Sequence, residues 1–117
     1  MKSYTISNHK RIIVALLLIL TFKSYAASIT WIGPGNWNVG ANWNGGVAPG
    51  TADIAVFDGS SASCTINATI DVGGIDMQST YANTITQSAA LTVRASDFVI
   101  VGGTFTGGSA SITMFDK

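Results

Sequence analysis

Short runs with apolar residues at alternating positions punctuate the chain: Ile54-Ala55-Val56-Phe57, Ile70-Asp71-Val72, Leu91-Thr92-Val93 and Ile112-Thr113-Met114. Glycine-rich or polar breaks separate them, and nothing beyond residue 26 carries the apolar spacing of an amphipathic helix. Period-two alternation between such breaks is the pattern of strands that bury one face. The expected fold class is all-β.

A shift of about 21 residues brings the apolar positions into columns. Ile70, Leu91 and Ile112 form one column, and Val72, Val93 and Met114 the next. Val56, Met77 and Phe98 align as a third, with Ile54 and Ile75 beside it until Ser96 breaks that file. Cys64 and Ile85 make a further column that Thr106 continues weakly, while Asp76 and Asp97 coincide outside the core. Superposing Gly73-Gly74 on Gly102-Gly103 instead would set Met77 against Thr106 and Asp76 against Phe105, so that shift is rejected. Columns sharing one shift predict a short parallel β-helix of about 21-residue coils, in which successive coils stack and satisfy each other's backbone. Gly73-Gly74 is expected at a corner, where glycine tolerates positive φ. The alternative is an antiparallel β-sandwich of short strands.

The N-terminus has a different composition. Lys2, Lys10 and Arg11 precede an apolar run from Ile12 to Leu20, and the small residues Ser24 and Ala26 follow. That order is the one a secretory signal peptide shows, and the run is too short for the ~20 apolar residues of a membrane span. Residues 1–26 are therefore expected to leave, giving a mature chain that starts at Ala27. With them go four of the six basic residues and the only histidine, His9. Arg94 and Lys117 then face six aspartates, a balance of −4 (2 − 6). So few cations make nucleic acid an unsuitable partner, since phosphate neutralisation requires Lys and Arg. Cys64 is the single cysteine, which excludes an internal disulfide, and its place in an apolar column marks it as a small core residue.

All three tryptophans fall between the leader and the repeats, in a segment rich in Asn and Gly. The matching residues Trp31, Gly33, Trp37, Asn42, Trp43, Gly45, Gly46, Pro49, Gly50 and Asp53, followed by an alternating strand, carry a family resemblance. The segment resembles the N-terminal modules of bacterial secreted parallel β-helix proteins, the autotransporter-passenger-like and adhesin-like surface proteins. That resemblance covers residues 30–58 and implies architecture rather than activity. Its members run on for many more coils; here Ile112-Thr113-Met114 begins a coil that only Phe115, Asp116 and Lys117 follow, so a truncated or open C-terminal end is expected. The resulting organisation is a leader over 1–26, a Trp/Asn/Gly-rich cap over 27–53 and coils over 54–117.

Two roles compete for the aromatic residues. Exposed indoles at Trp31, Trp37 and Trp43, with Asn42 beside them, would stack on and hydrogen-bond to sugar rings. Alternatively, the same rings fold inward over the first coil, because the glycines let the loop bend, and the asparagines satisfy turn backbone. The second role is the favoured one.

Catalytic chemistry is sparse. The mature chain has no His and no Glu, which removes Ser-His-Asp, Cys-His and His-based zinc sites. Asp71 with Asp76 is the nearest approach to a glycosidase carboxylate pair, and both are expected on the solvent side. Oxygen ligands for calcium exist at Asp53, Asp58, Asp71 and Asp76 without a calcium-loop motif, so neither metal nor cofactor is assigned. The sequence thus predicts a secreted or cell-surface, non-catalytic structural or adhesive module of a larger protein. The alternative is a carbohydrate-binding accessory of a polysaccharide-active protein. Expected partners are a cell-surface or matrix polysaccharide and, at the C-terminal end, further coils or another copy of the chain.

Overall fold

The computed structural model describes residues 26–94 and 97–115. Nearly all of the expected leader lies outside these residues, as do Ser96 and the terminal Asp116 and Lys117. The described strands are β1 (Ser28–Thr30), β2 (Gly35–Asn36), β3 (Ile54–Phe57), β4 (Cys64–Ile66), β5 (Ile70–Val72), β6 (Gly74–Met77), β7 (Thr84–Gln87), β8 (Leu91–Val93), β9 (Phe98–Ile100), β10 (Thr104–Thr106) and β11 (Ile112–Met114). Among the described residues one 3-10 turn, at Gly40–Asn42, interrupts the β structure.

The strands form three sheets, ordered β1-β3-β6-β9, β2-β4-β7-β10 and β5-β8-β11. Every strand pair in them is parallel. From β3 onward the chain visits the three sheets in a fixed cyclic order, so two strands in other sheets separate each strand from its partner. Parallel neighbours need a crossover of a dozen residues or more, and here the crossover consists of those two strands and their corners. Among the described residues the antiparallel contact is an isolated bridge between Trp31 and Trp43. The β-sandwich alternative is therefore set aside, since it requires antiparallel sheets.

One sheet keeps the register that the sequence columns anticipate throughout, and a second keeps it between its strands β4 and β7. Ile70 lies opposite Leu91 and Leu91 opposite Ile112, with Val72, Val93 and Met114 aligned likewise. Cys64 lies opposite Ile85, but Ile85 is continued by Phe105 rather than Thr106. The remaining sheet departs from the expectation. Phe57 rather than Val56 opposes Met77, Ala55 rather than Ile54 opposes Ile75, and Ile75 in turn opposes Phe98. Asp76 faces Val99 instead of aligning with Asp97.

Unequal spacing between strands accompanies that departure: Phe57 and Cys64 are one residue closer together in sequence than their partners Met77 and Ile85, and β6 and β9 follow β5 and β8 at different distances. Gly73 alone separates β5 from β6, whereas residues 94–97 separate β8 from β9. The excess is recovered at the next corner, where residues 101–103 replace the longer 78–83 of the preceding cycle. Gly73 also has a different role from the one expected. It is not among the positive-φ glycines, Gly35, Gly45, Gly46 and Gly103. A Cβ at Gly73 would instead sit 2.6 Å from the Asp53 carbonyl oxygen, so glycine is required by close approach of two backbones.

Alternation places Cys64, Ile66, Ile70, Val72, Ile75, Met77, Ile85, Leu91 and Val93 in one buried core. Gln87 is the polar member of its strand that turns inward, and its amide is fully used. Nε2 donates to the carbonyls of Ala89, Ala110 and Ser111 at 3.0, 3.2 and 3.1 Å, and Oε1 accepts from Gly108 N–H at 3.3 Å. Those bonds tie the corner before β11 to the corner before β8, and they compensate for burying an amide. On the outer surface Arg94 clasps the Asp71 carboxylate through Nε, 2.7 Å from Oδ1, and through Nη2. The guanidinium also lies 4.8 Å from the centre of the Phe115 ring.

The final cycle is covered on one side only. β9, β10 and β11 end their sheets, and the apolar files emerge there. Met77, Leu91 and Val93 are at most 1% exposed, while their partners Ile100, Ile112 and Met114 are 52%, 42% and 51% exposed.

Val93 is buried in the middle of its file and Thr92 points away from the core. Val93→Asp should therefore cost at least ~3 kcal/mol by stranding a charge, against ~0.5 kcal/mol for Thr92→Asp. Thermal melts of the two variants check the register, and equal losses would contradict it.

Candidate functional site

Two surfaces of the fold bear on function: the tryptophan segment, which holds the residues that the sequence marks as ligand candidates, and the outer face of the sheet β2-β4-β7-β10.

The segment from Ala27 to Asp53 does more than cover the repeats, because it supplies β1 to one sheet and β2 to another. Between and after these strands the chain folds back on itself. Trp31 N–H donates to Val56 O at 2.9 Å, Trp37 N–H to Thr65 O at 2.8 Å, and Asn44 N–H to Thr30 O at 2.9 Å. The indoles are thereby drawn over Phe57. Trp31, Trp37 and Trp43 lie 5.9–6.2 Å from its ring centre, and the Trp31–Trp43 and Trp37–Trp43 pairs meet edge to face at 5.0 and 4.8 Å. Tyr81 joins the cluster, with its ring 5.4 Å from that of Phe57. Edge-to-face contact suits the ring quadrupoles and adds to the area each ring buries.

Trp31, Trp37 and Trp43 are 0%, 1% and 1% exposed. No ring face is open to a ligand, so the sugar-stacking expectation for these three residues loses its physical basis. Of their polar atoms, Trp43 Nε1 donates to Trp37 O at 2.7 Å, whereas the buried Trp31 Nε1 has no hydrogen-bond partner among the described residues. Asn42 does not form a ligand-binding pair with them. Its Nδ2 donates to Asn36 O at 3.2 Å, and its carbonyl accepts from the N–H groups of Ile32 and Gly33. Gly33 is needed because a Cβ there would collide with the Trp31 ring.

The other groups weighed for chemistry also have structural partners. Asp71 is held by Arg94, which keeps its carboxyl below the usual carboxylate range, whereas Asp76 accepts from Gln78 Nε2 at 3.3 Å on a different sheet. The two do not form a carboxylate pair. Asp58 caps its own turn, accepting from Ser60 N–H at 2.8 Å and Ser60 O–H at 2.6 Å, and these bonds lower its pKa. Burial pushes the Cys64 thiol up to about 12, so at neutral pH it is the protonated, unreactive form. The Tyr81 hydroxyl, also pushed up to about 12 by burial, donates to Ala62 O at 3.0 Å. Among the described residues no three His, Cys, Asp or Glu side chains gather as a metal site, and no helix is long and apolar enough to cross a membrane.

The second surface has no counterpart in the sequence pattern of apolar columns. On β4, β7 and β10 the motifs Ser63-Cys64-Thr65, Thr84-Ile85-Thr86 and Thr104-Phe105-Thr106 turn the middle residue inward. In-register pairing then aligns the flanking hydroxyls in two files. Asn36, Thr65, Thr86 and Thr106 stand opposite one another in one file, and Thr84 opposes Thr104 in the other. Ser63 extends the second file, with its Oγ accepting from Thr84 N–H at 3.4 Å. Strand spacing sets ~4.8 Å between members of a file and roughly 6.6 Å between the files. No Asp, Glu, Lys, Arg or His lies on these strands. The result is an uncharged, regularly spaced array of hydroxyl and methyl groups.

Comparison of the chain with family models, with curated proteins and with solved structures yields no match.

Trp37→Ala or Trp43→Ala should unfold or strongly destabilise the protein, by ~3–5 kcal/mol, because either removes a ring from the packed cluster. Circular dichroism melts check this. A variant that keeps its melting temperature and loses binding to a sugar would restore a ligand role for that ring.

Proposed function

We propose that the chain is a secreted, non-catalytic parallel β-helix module of a bacterial surface protein, structural and adhesive in action, and that its contact face is the hydroxyl array on β4, β7 and β10. The cyclic order of the strands and the repeated register support the β-helix reading. In that reading the tryptophan segment closes the N-terminal end and also provides its first strands. The resemblance of Trp31 to Asp53 to the N-terminal modules of secreted β-helix proteins points the same way, as does the leader-like composition of residues 1–26.

The single observation that carries the adhesive role is the pair of Ser/Thr files. Rigid strands hold their hydroxyls at fixed intervals without competing charge, so a partner with repeating hydroxyl groups meets many weak hydrogen bonds at once. Each is worth little against water, and the sum is larger because the strands hold the protein's hydroxyls in place before the partner arrives. A cell-surface or matrix polysaccharide has that repeating chemistry. Replacing Thr65, Thr86 and Thr106 with Val together keeps the branched shape and removes one file of hydroxyls. Retention on immobilised matrix polysaccharide should fall at least tenfold in the triple variant, with the melting temperature little changed. Retention unaffected by the substitutions would sink this assignment of the contact face.

The exposed apolar files at Ile100, Ile112 and Met114 support stacking at the C-terminal end, by further coils in a larger protein or by another copy. An uncovered strand edge above an apolar ladder is prone to association. Sedimentation of residues 27–117 over a range of concentrations should show self-association, and fusion of one further polar-capped coil should abolish it. A monomer at high concentration without that addition would contradict the open-ended arrangement.

A further inference from the structure

The backbone nitrogen of Ala27 lies 3.2 Å from Asp53 Oδ1. Asp53 does not wait there as a loose surface group. Its Oδ2 accepts from Gly50 N–H at 2.8 Å, and the Asp53 N–H in turn donates to Gly50 O at 3.1 Å, so the carboxylate is fixed by its own turn. On the next residue, Ile54 N–H donates to Ala27 O at 2.7 Å. Ala27 is thus gripped at both its nitrogen and its oxygen by the residues that open β3, immediately before β1 begins its parallel pairing with that strand.

Ala27 is also the residue at which the leader is expected to be cut. Hydrolysis adds one water across the Ala26–Ala27 amide: Ala26 departs as a carboxylate, and the Ala27 nitrogen becomes an ammonium. Both alanines are exposed, which suits access to that bond. An amide N–H that made one neutral-donor hydrogen bond to Asp53 becomes a cation with three donors at the same place.

We infer that removal of the leader converts Ala27 into half of an ion pair with Asp53, which fastens the edge strand β1 to β3 in the exported protein and is missing from the precursor. This rests on the leader reading and is independent of the adhesive face. Charge-assisted hydrogen bonds are stronger than neutral ones, although exposure to solvent moderates the gain. The site is electrostatically suited to a cation. β3 has no ionisable side chain, β6 contributes Asp76 opposite Val56, and Asp97 precedes β9, so among the described residues these strands bring carboxylates to the sheet. Arg94, the one basic residue among the described strands and corners after the leader, is engaged with Asp71. In the precursor the same nitrogen makes only a neutral hydrogen bond, so cutting adds charge to a contact that is already in place.

The pH dependence has a definite sign. A partner carboxylate raises the α-amine above its ordinary ~7.7–8.0, so the stabilisation is complete below about pH 8 and is lost as pH rises through the raised value. The full-length chain, expressed with its leader in a secreting bacterial host, provides the test. Mass analysis of the exported protein should give an Ala27 start. Titration of its α-amine by NMR should place it above the ordinary range, and Asp53→Asn should return it to that range. If Asp53→Asn does not fold, selective acetylation of the wild-type α-amine should remove the stability loss seen in melts above pH 8. A different first residue overturns the processing position. An Ala27 start with an amine that titrates normally, or one that Asp53→Asn leaves unmoved, overturns the ion pair.

Discussion

Strands of two to four residues cannot satisfy their own backbone, and from β3 onward each finds its partner about one repeat away in sequence. Ile70, Leu91 and Ile112 must meet in register, as must Cys64 and Ile85, or their N–H and C=O groups would be buried without partners. The same register stacks like side chains on like. A strand shifted by one residue would turn Val93 outward and Thr92 inward, so burial enforces the hydrogen bonding and the hydrogen bonding enforces burial. Corners have more freedom than strands. One residue suffices between β5 and β6, residues 78–83 lie between β6 and β7, and the sheets continue parallel through both.

This constraint acts differently at the two ends. At the N-terminal end Trp31, Trp37 and Trp43 pack over Phe57, and the strands β1 and β2 occupy edges that would otherwise lie open. Large flat rings fill the irregular space that short strands leave, at a small conformational cost for the area buried. At the C-terminal end the files simply emerge, with Ile112 and Met114 half-exposed above the buried Leu91 and Val93. The outer faces are shaped by the same stacking. Identical positions in successive cycles become neighbours, and that is how Thr65, Thr86 and Thr106 form a file; Asp71 on β5 likewise comes within reach of Arg94, the residue that follows the neighbouring strand β8.

Much of this was legible in the chain because the shift near 21 residues holds through β4 and β7 and through β5, β8 and β11. It failed for β3, β6 and β9, where unequal spacing between strands offsets the register, and a constant shift then misplaces Val56 and Phe98. The inward fold of the tryptophans followed from the glycines around them, but their proximity to Phe57 and Tyr81 did not, since those contacts depend on the path of the loop. The hydroxyl files went unread for another reason. Apolar residues announce a column because burial selects them, whereas an outward Thr-x-Thr run looks like ordinary surface until the register is known. With the register in hand, the triplets around Cys64, Ile85 and Phe105 are the signal.

The central claim is that strands one repeat apart are parallel neighbours, and backbone NOE contacts in the folded protein test it most directly. The account predicts that Leu91 shows interstrand contacts to both Ile70 and Ile112, and Ile85 to both Cys64 and Phe105, in the pattern of parallel pairing. Antiparallel contacts between strands consecutive in sequence, such as β7 with β8, would contradict it.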